Sequence, residues 1–185
     1  MVIFEVQSGS ANIPKYIDSS LPLLTTPQAL TTSPIPKFGS LSPPSQKLPF
    51  PPSDGKFAFV TFLRHCGCPF AEKTFLSLRD HASRHQNTTH IARSHFSPAA
   101  TQTWLASVGR LGSVQVLVDD AREIYAQWGL GVSKSESRWQ TANSFAVDGD
   151  GVVRWVRVME EADEVPDFED RGKVLGEEAS WEGIL

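Results

Sequence analysis

Between residues 56 and 158 the apolar positions follow two rhythms. Lys56 to Leu63 is a nearly continuous apolar and aromatic run behind an Asp54-Gly55 turn signal, which predicts a central strand buried on both faces. The run breaks at Arg64-His65-Cys66-Gly67. From Cys68-Pro69 onward Phe70, Thr74, Phe75, Leu78 and Ala82 recur at helical spacing, with Glu72, Lys73, Arg79 and Asp80 on the other face. The spacing predicts a helix to about Arg84, and Pro69 suits its first turn because the missing N–H would be unsatisfied there anyway.

The alternation continues downstream. His90 to Phe96 reads as a second strand, and Ser97-Pro98 opens a second helix whose apolar side, Trp104, Leu105 and Val108, stops at Gly109. Val114 to Val118 is a third strand. Asp119 or Asp120 caps a short helix from Ala121 to Trp128, which Gly129 and Gly131 end. After a polar stretch, residues 133–140, come Ser144 to Val147 and Val152 to Val158, joined by the hairpin signal Asp148-Gly149-Asp150-Gly151. In the last strand Val152, Arg154, Val156 and Val158 share one face, and Val153, Trp155 and Arg157 the other; an arginine among valines predicts an incompletely buried face. From Glu160 the chain holds ten acids against two bases, with Val165, Phe168, Val174 and Leu175 allowing one closing helix.

Ahead of the first strand the pattern vanishes. Ten of the thirteen prolines lie within residues 1–55, where neither a long helix nor an interior strand can run. That segment reads as an extended Pro/Ser-rich arm, with a short strand at Met1 to Val6 and docking positions at Leu21 to Leu24, Phe38 and Phe50. The chain thus divides into an arm (1–55), a domain (56–176) and an acidic tail (177–185). The order β-α-β-α-β-α-β-β-α predicts an α/β fold, a mixed sheet flanked by helices of thioredoxin-like architecture.

Composition narrows the partners. A chain of 185 residues is one domain with a sizeable core. A net charge of -4 offers no field for nucleic acid or an anionic membrane, so neither is expected. With no run of eighteen apolar residues and no secretory leader pattern, a reducing, cytoplasmic setting is the expectation. Two cysteines one residue apart are not a disulfide framework, and reactivity is the better reason for them. Of the five histidines only His81 and His85 have a ligand-type spacing, on what should be the polar side of the first helix, so no metal site is expected.

The thiol chemistry centres on Cys68. It falls at the N-cap of the first helix, where free N–H groups and the helix dipole favour a thiolate, and Arg64 and His65 just upstream could add positive charge. Cys66 lies in the preceding turn, where the dipole acts more weakly. A Cys66–Cys68 disulfide would close a small, strained and easily reduced ring. The plain alternative is two ordinary buried cysteines. Sites in open α/β sheets gather at the carboxyl ends of parallel strands, here Arg64 to Cys68, Ser94 to Ser97 and Asp119-Asp120. Ser94 and His95 are therefore candidates for hydrogen bonding at the site, His95 equally for a surface loop position. Arg138 could orient an oxygen-bearing substrate or remain a solvated loop residue, and Pro69 and Thr141 complete the candidate substrate-binding set.

Phe62 to Phe75, together with Asp119, Tyr125, Trp128 to Gly131, Ser137 to Gln140 and Phe145 to Trp155, resembles the fungal peroxiredoxin-like proteins of the AhpC/TSA antioxidant superfamily, over residues 48 to about 175. The resemblance implies a thioredoxin fold and thiol redox chemistry. Cys68 would attack a peroxide or disulfide, and Cys66 or an external thiol such as glutathione or thioredoxin would resolve the product, without a bound cofactor; a homodimer is one assembly open to such a protein. In related branches with a CxxC pair the first cysteine falls at Cys68 and the second at Ala71, which leaves Cys66 to replace it. Two other classes stay open: a biosynthetic enzyme acting on a secondary metabolite, and a non-catalytic thioredoxin-like module docking through its arm or tail.

Overall fold

The computed structural model describes residues 30–48, 50–52, 54–109, 111–131, 140–159, 161 and 163–169. The expected strand at Met1 to Val6, the docking positions Leu21 to Leu24, Arg138 and the tail beyond Glu169 lie outside them.

Five strands and three helices follow in chain order: β1 (Ala58–Phe62), α1 (Pro69–Arg84), β2 (Thr89–Ser94), α2 (Pro98–Val108), β3 (Val114–Val118), α3 (Glu123–Gln127), β4 (Ala142–Val147) and β5 (Val153–Met159). They form one mixed sheet in the order β3-β2-β1-β4-β5. β1 is central, parallel to β2 with Phe62 opposite Arg93, and antiparallel to β4 with Phe62 opposite Asn143. All five residues of β1 are buried, as its unbroken apolar run predicts for a strand covered on both faces.

The pleat sends alternate β1 residues to two cores. Phe59 and Leu63 join Phe75, Leu78 and Ala82 of α1, Trp104 of α2 and Phe168 on one face. Val60 and Phe62 join Ile124 and Tyr125 of α3, Trp128, Phe145 and Leu48 on the other. Leu48 precedes the domain boundary drawn from sequence, and Phe50 beside it packs on Trp128 at 5.9 Å. The arm also bonds to the domain through its backbone: Ser33 N–H donates to Ala126 O, Gly39 N–H to Val153 O, and Val153 N–H to Ser40 O. Gly129, at φ +78°, makes this approach feasible, since a Cβ there would lie 2.6 Å from the Ile35 nitrogen. Phe38, by contrast, is 62% exposed and does not dock.

Several elements start or stop elsewhere than the pattern predicts. α3 begins at Glu123 rather than Ala121, because Asp119 caps it from a distance: its Oδ2 accepts from Ile124 N–H and Tyr125 N–H. β2 ends at Ser94, where the next residue turns its ring toward the Arg64 carbonyl instead of continuing the ladder. On α1 the buried stripe is Ala71, Thr74, Phe75, Leu78, His81 and Ala82, so Phe70 is exposed and His81 is in the core, not on the polar side. Arg154 lies on the less buried face of β5, as its valine neighbours predict, and binds Asp148 at 2.6 Å. Among the described residues 163–169 there is no helix; Phe168 instead inserts against Phe59.

Candidate active site

The turn between β1 and α1 carries both thiols. Gly67, at φ +94°, supplies the left-handed conformation the turn needs. Cys68 follows as the N-cap, with extended backbone (φ -79°, ψ 130°), and its carbonyl accepts the first helical bond from Glu72 N–H. Its side chain makes no capping bond, and the residue is partly exposed beside a helix start that Pro69 leaves short of one donor. Both cysteines are free thiols.

Cys66 has a different environment. Only 8% exposed, it packs with Leu63, Phe75 and Trp104, and its sulfur lies 3.3 Å from the Ser94 hydroxyl. Ser94 in turn meets the Thr101 hydroxyl at 2.8 Å and accepts from Phe96 N–H. Burial pushes the Cys66 thiol above its ordinary pKa, and the bonds from Ser94 and Thr101 oppose that rise without overcoming it. The two thiols are therefore unequal in access and in surroundings.

The flanking candidates are only partly gathered around Cys68. His65 stands edge-on to Phe96 at 4.5 Å, and burial pulls its pKa below the ordinary imidazole value, which works against the positive charge expected of it. Arg64 sends its guanidinium to the carbonyl of Glu161, 2.9 Å away. His95 bonds the Arg64 carbonyl, lies edge-on to Tyr125, and is also held low by burial. The Thr141 hydroxyl donates to Gly131 O at 2.9 Å, which closes a loop rather than lining the thiol turn. Beside the first turn of α1 an open groove is lined by Phe62, Leu63, Arg64, Phe70, Ala71, Thr74, Ala142, Met159 and Glu164.

Beneath the turn lies a polar group that sequence reading missed. The Tyr125 hydroxyl, fully buried, is 2.7 Å from both Leu63 O and Arg93 O, so one phenolic proton ties β1 to β2 just where β1 enters the turn. Arg93 is 1% exposed, and its Nε and Nη2 have no hydrogen-bond partner among the described residues, nor has Oδ1 of Asp119. Desolvation lowers the guanidinium's pKa, and the nearby Asp119 and Tyr125 oppose that. The usable signal was an arginine near the carboxyl end of a parallel strand, directly after the apolar pair Ile91-Ala92.

No family model matches the sequence, and no curated protein is similar to it at a meaningful level. Solved structures are similar in fold. A peroxiredoxin-like protein from Aquifex aeolicus is 17% identical, with a TM-score of 0.66 over 79% of this chain and 90% of its own. A thiol peroxidase from Chromobacterium violaceum is 17% identical, with a TM-score of 0.63 over 82% and 94%. AhpC of Mycobacterium tuberculosis is 19% identical, with a TM-score of 0.57 over 80% and 95%. The chain thus has the thioredoxin-like α/β fold that its element order predicts.

Proposed function

We propose that this chain is a thiol oxidoreductase of peroxiredoxin-like type, in the AhpC/TSA superfamily and its fungal peroxiredoxin-like branch, with Cys68 as the nucleophile. The observation that carries the reading is the placement of Cys68: a partly exposed cysteine at the N-cap of the sixteen-residue α1, with no side-chain capping bond. Helix N-termini stabilise thiolates, and the thiolate is the attacking species. With a hydroperoxide, the Cys68 sulfur takes the terminal oxygen, the O–O bond breaks, and the alcohol leaves with a proton, giving a sulfenic acid. With a disulfide, Cys68 displaces one thiolate and retains the other sulfur in a mixed disulfide.

Resolution needs a second thiol, which forms a disulfide with the sulfenic sulfur and releases water. Cys66 is the intramolecular candidate, but its burial and raised pKa make it a slow nucleophile near neutral pH. An external thiol such as glutathione or a thioredoxin is the better resolver, and a reducing compartment such as the cytoplasm would supply it. The substrate would be a small peroxide or disulfide, with Ser94 supporting the turn. Arg64 lines the groove beside it.

The test is stoichiometric oxidation by dilute hydrogen peroxide, followed by mass spectrometry of trapped sulfenic acid. Wild type and Cys66→Ser should both form the adduct on Cys68, and Cys68→Ser should not. An adduct confined to Cys66, or failure of Cys68 to react with either dilute peroxide or a small disulfide, would rule the reading out.

A further inference from the structure

The far end of α1 holds a second cluster of chemically capable side chains. The sequence predicts no metal site there, because His81 and His85 should both face solvent with no third ligand near. The fold changes both conditions. His81 is 1% exposed, His85 at the C-cap is half-buried, and the segment carrying Phe168 and Glu169 crosses beside them. His81, His85 and Glu169 each place one ligand-type atom within 4.8 Å of the others.

Their surroundings favour ligation. Thr88 O can only accept, so the His90 Nδ1 beside it, at 3.0 Å, donates. In neutral His90 the Nε2 is then an acceptor, and the His81 Nδ1 2.8 Å away donates to it. Neutral His81 consequently carries its lone pair on Nε2, one of the two nitrogens through which a neutral imidazole binds a metal. Such a chain from a backbone carbonyl through one imidazole to the next is the outer-shell support that metal-bound histidines use to fix tautomer and ring orientation. Phe168 holds Glu169 in place from the adjoining position, packed on His81 and Trp155.

We propose that His81, His85 and Glu169 form a binding site for a late first-row divalent cation, with Zn²⁺ as the first probe. Two imidazoles and one carboxylate form an established zinc donor set that leaves the fourth position to water. Ligands at about 2.0–2.1 Å from zinc lie ~3.4 Å apart in a tetrahedron, so the atoms must draw together on binding. The His85 ring now stacks on His81 at 4.1 Å and must turn out of that stack to aim its in-plane lone pair at the same ion; His85 and Glu169, with side chains 33% and 50% exposed, supply that movement, while His81 stays fixed in the core. At present Glu169 Oε1 is 2.9 Å from Arg84 and Oε2 is 3.7 Å from His85. Zn²⁺ replaces the His85 contact, and Arg84, itself 59% exposed, is free to keep Oε1 or swing into solvent. Bound metal ties the segment around Phe168 to the last turn of α1, independently of the thiol chemistry at the helix's other end.

Calorimetric titration of Zn²⁺ into the full chain tests this in a C66S/C68S background, which removes thiol ligands. One ion per chain should bind, and H85A and E169Q in that background, both altering partly exposed side chains, should each weaken binding by roughly tenfold or more. Co²⁺ should show d–d bands without a thiolate charge-transfer band in wild type. Absence of saturable binding in the C66S/C68S chain, or equal affinity in H85A and E169Q, would overturn the site.

Discussion

The Ser94 hydroxyl stands 3.3 Å from the Cys66 sulfur, and this one contact links the inner thiol to the first turn of α2 through Thr101. Both hydroxyls hold the Cys66 pKa below where burial alone would put it. Replacing Ser94 by Ala should therefore raise it further. In a Cys68→Ser background, alkylation of Cys66 near pH 8 should slow several-fold, and the pH at which its rate levels off should move upward. An unchanged or faster rate would mean that Ser94 does not tune this thiol.

Tyr125→Phe removes the phenolic proton shared by the Leu63 and Arg93 carbonyls. Arg93 O keeps its bond from Leu63 N–H, but Leu63 O loses its donor in a fully buried place. A loss of about 1–2 kcal/mol in urea-unfolding stability should result, with little change in overall fold.

Gly129→Ala would put a side chain at φ +78° and within 2.6 Å of the Ile35 backbone. Strain and overlap together should cost about 1–3 kcal/mol, and the arm is the element able to give way. Limited proteolysis should then cut within residues 33–48 at a rate well above wild type, while the β1 to β5 sheet stays protected in hydrogen exchange.

Asp148 gives a pH-dependent prediction. Burial works to raise its pKa, but the N–H groups of Val152 and Asp150 and the Arg154 guanidinium outweigh that and hold it below the usual carboxylate range. Its ionised form is thus preferred by the folded state, and the associated stability is present above the unfolded carboxylate pKa and lost as pH falls through the lowered folded value. Wild type should exceed Asp148→Asn in urea midpoint at pH 7, and the gap should shrink steadily on acidification below about pH 4.

Much of this arrangement is legible in the residues themselves. The limits of α1 and α2 follow from Cys68-Pro69 and Ser97-Pro98 at their starts, and from Arg84 and Gly109 at their ends, because these signals act within a turn of where they stand. The Cys68 N-cap is legible for the same reason. The rotational phase of α1 is not, since Phe70 and Ala71 differ by one residue and only the position of the sheet decides which is covered. His81 needs an acceptor from β2 and a neighbour from residue 168 before its burial makes sense. Arg93 and Tyr125 meet across thirty-odd residues for a similar reason: hydrogen bonding between elements is set by strand register, which no local pattern carries.

The backbone bonds that Gly39 and Ser40 make to Val153 have a consequence for how the folded chain behaves at high concentration. β5 is the outer strand of the sheet, and unpaired outer strands recruit further strands from other molecules. Here the chain's own proline-bearing segment occupies the opening of that strand, and Leu41 bridges to Val152 beside it. A version trimmed to begin at Leu48 would keep the residue that fills the second core but bare this ladder. It should self-associate in a concentration-dependent way that the longer chain resists, so the arm doubles as a guard against intermolecular sheet growth.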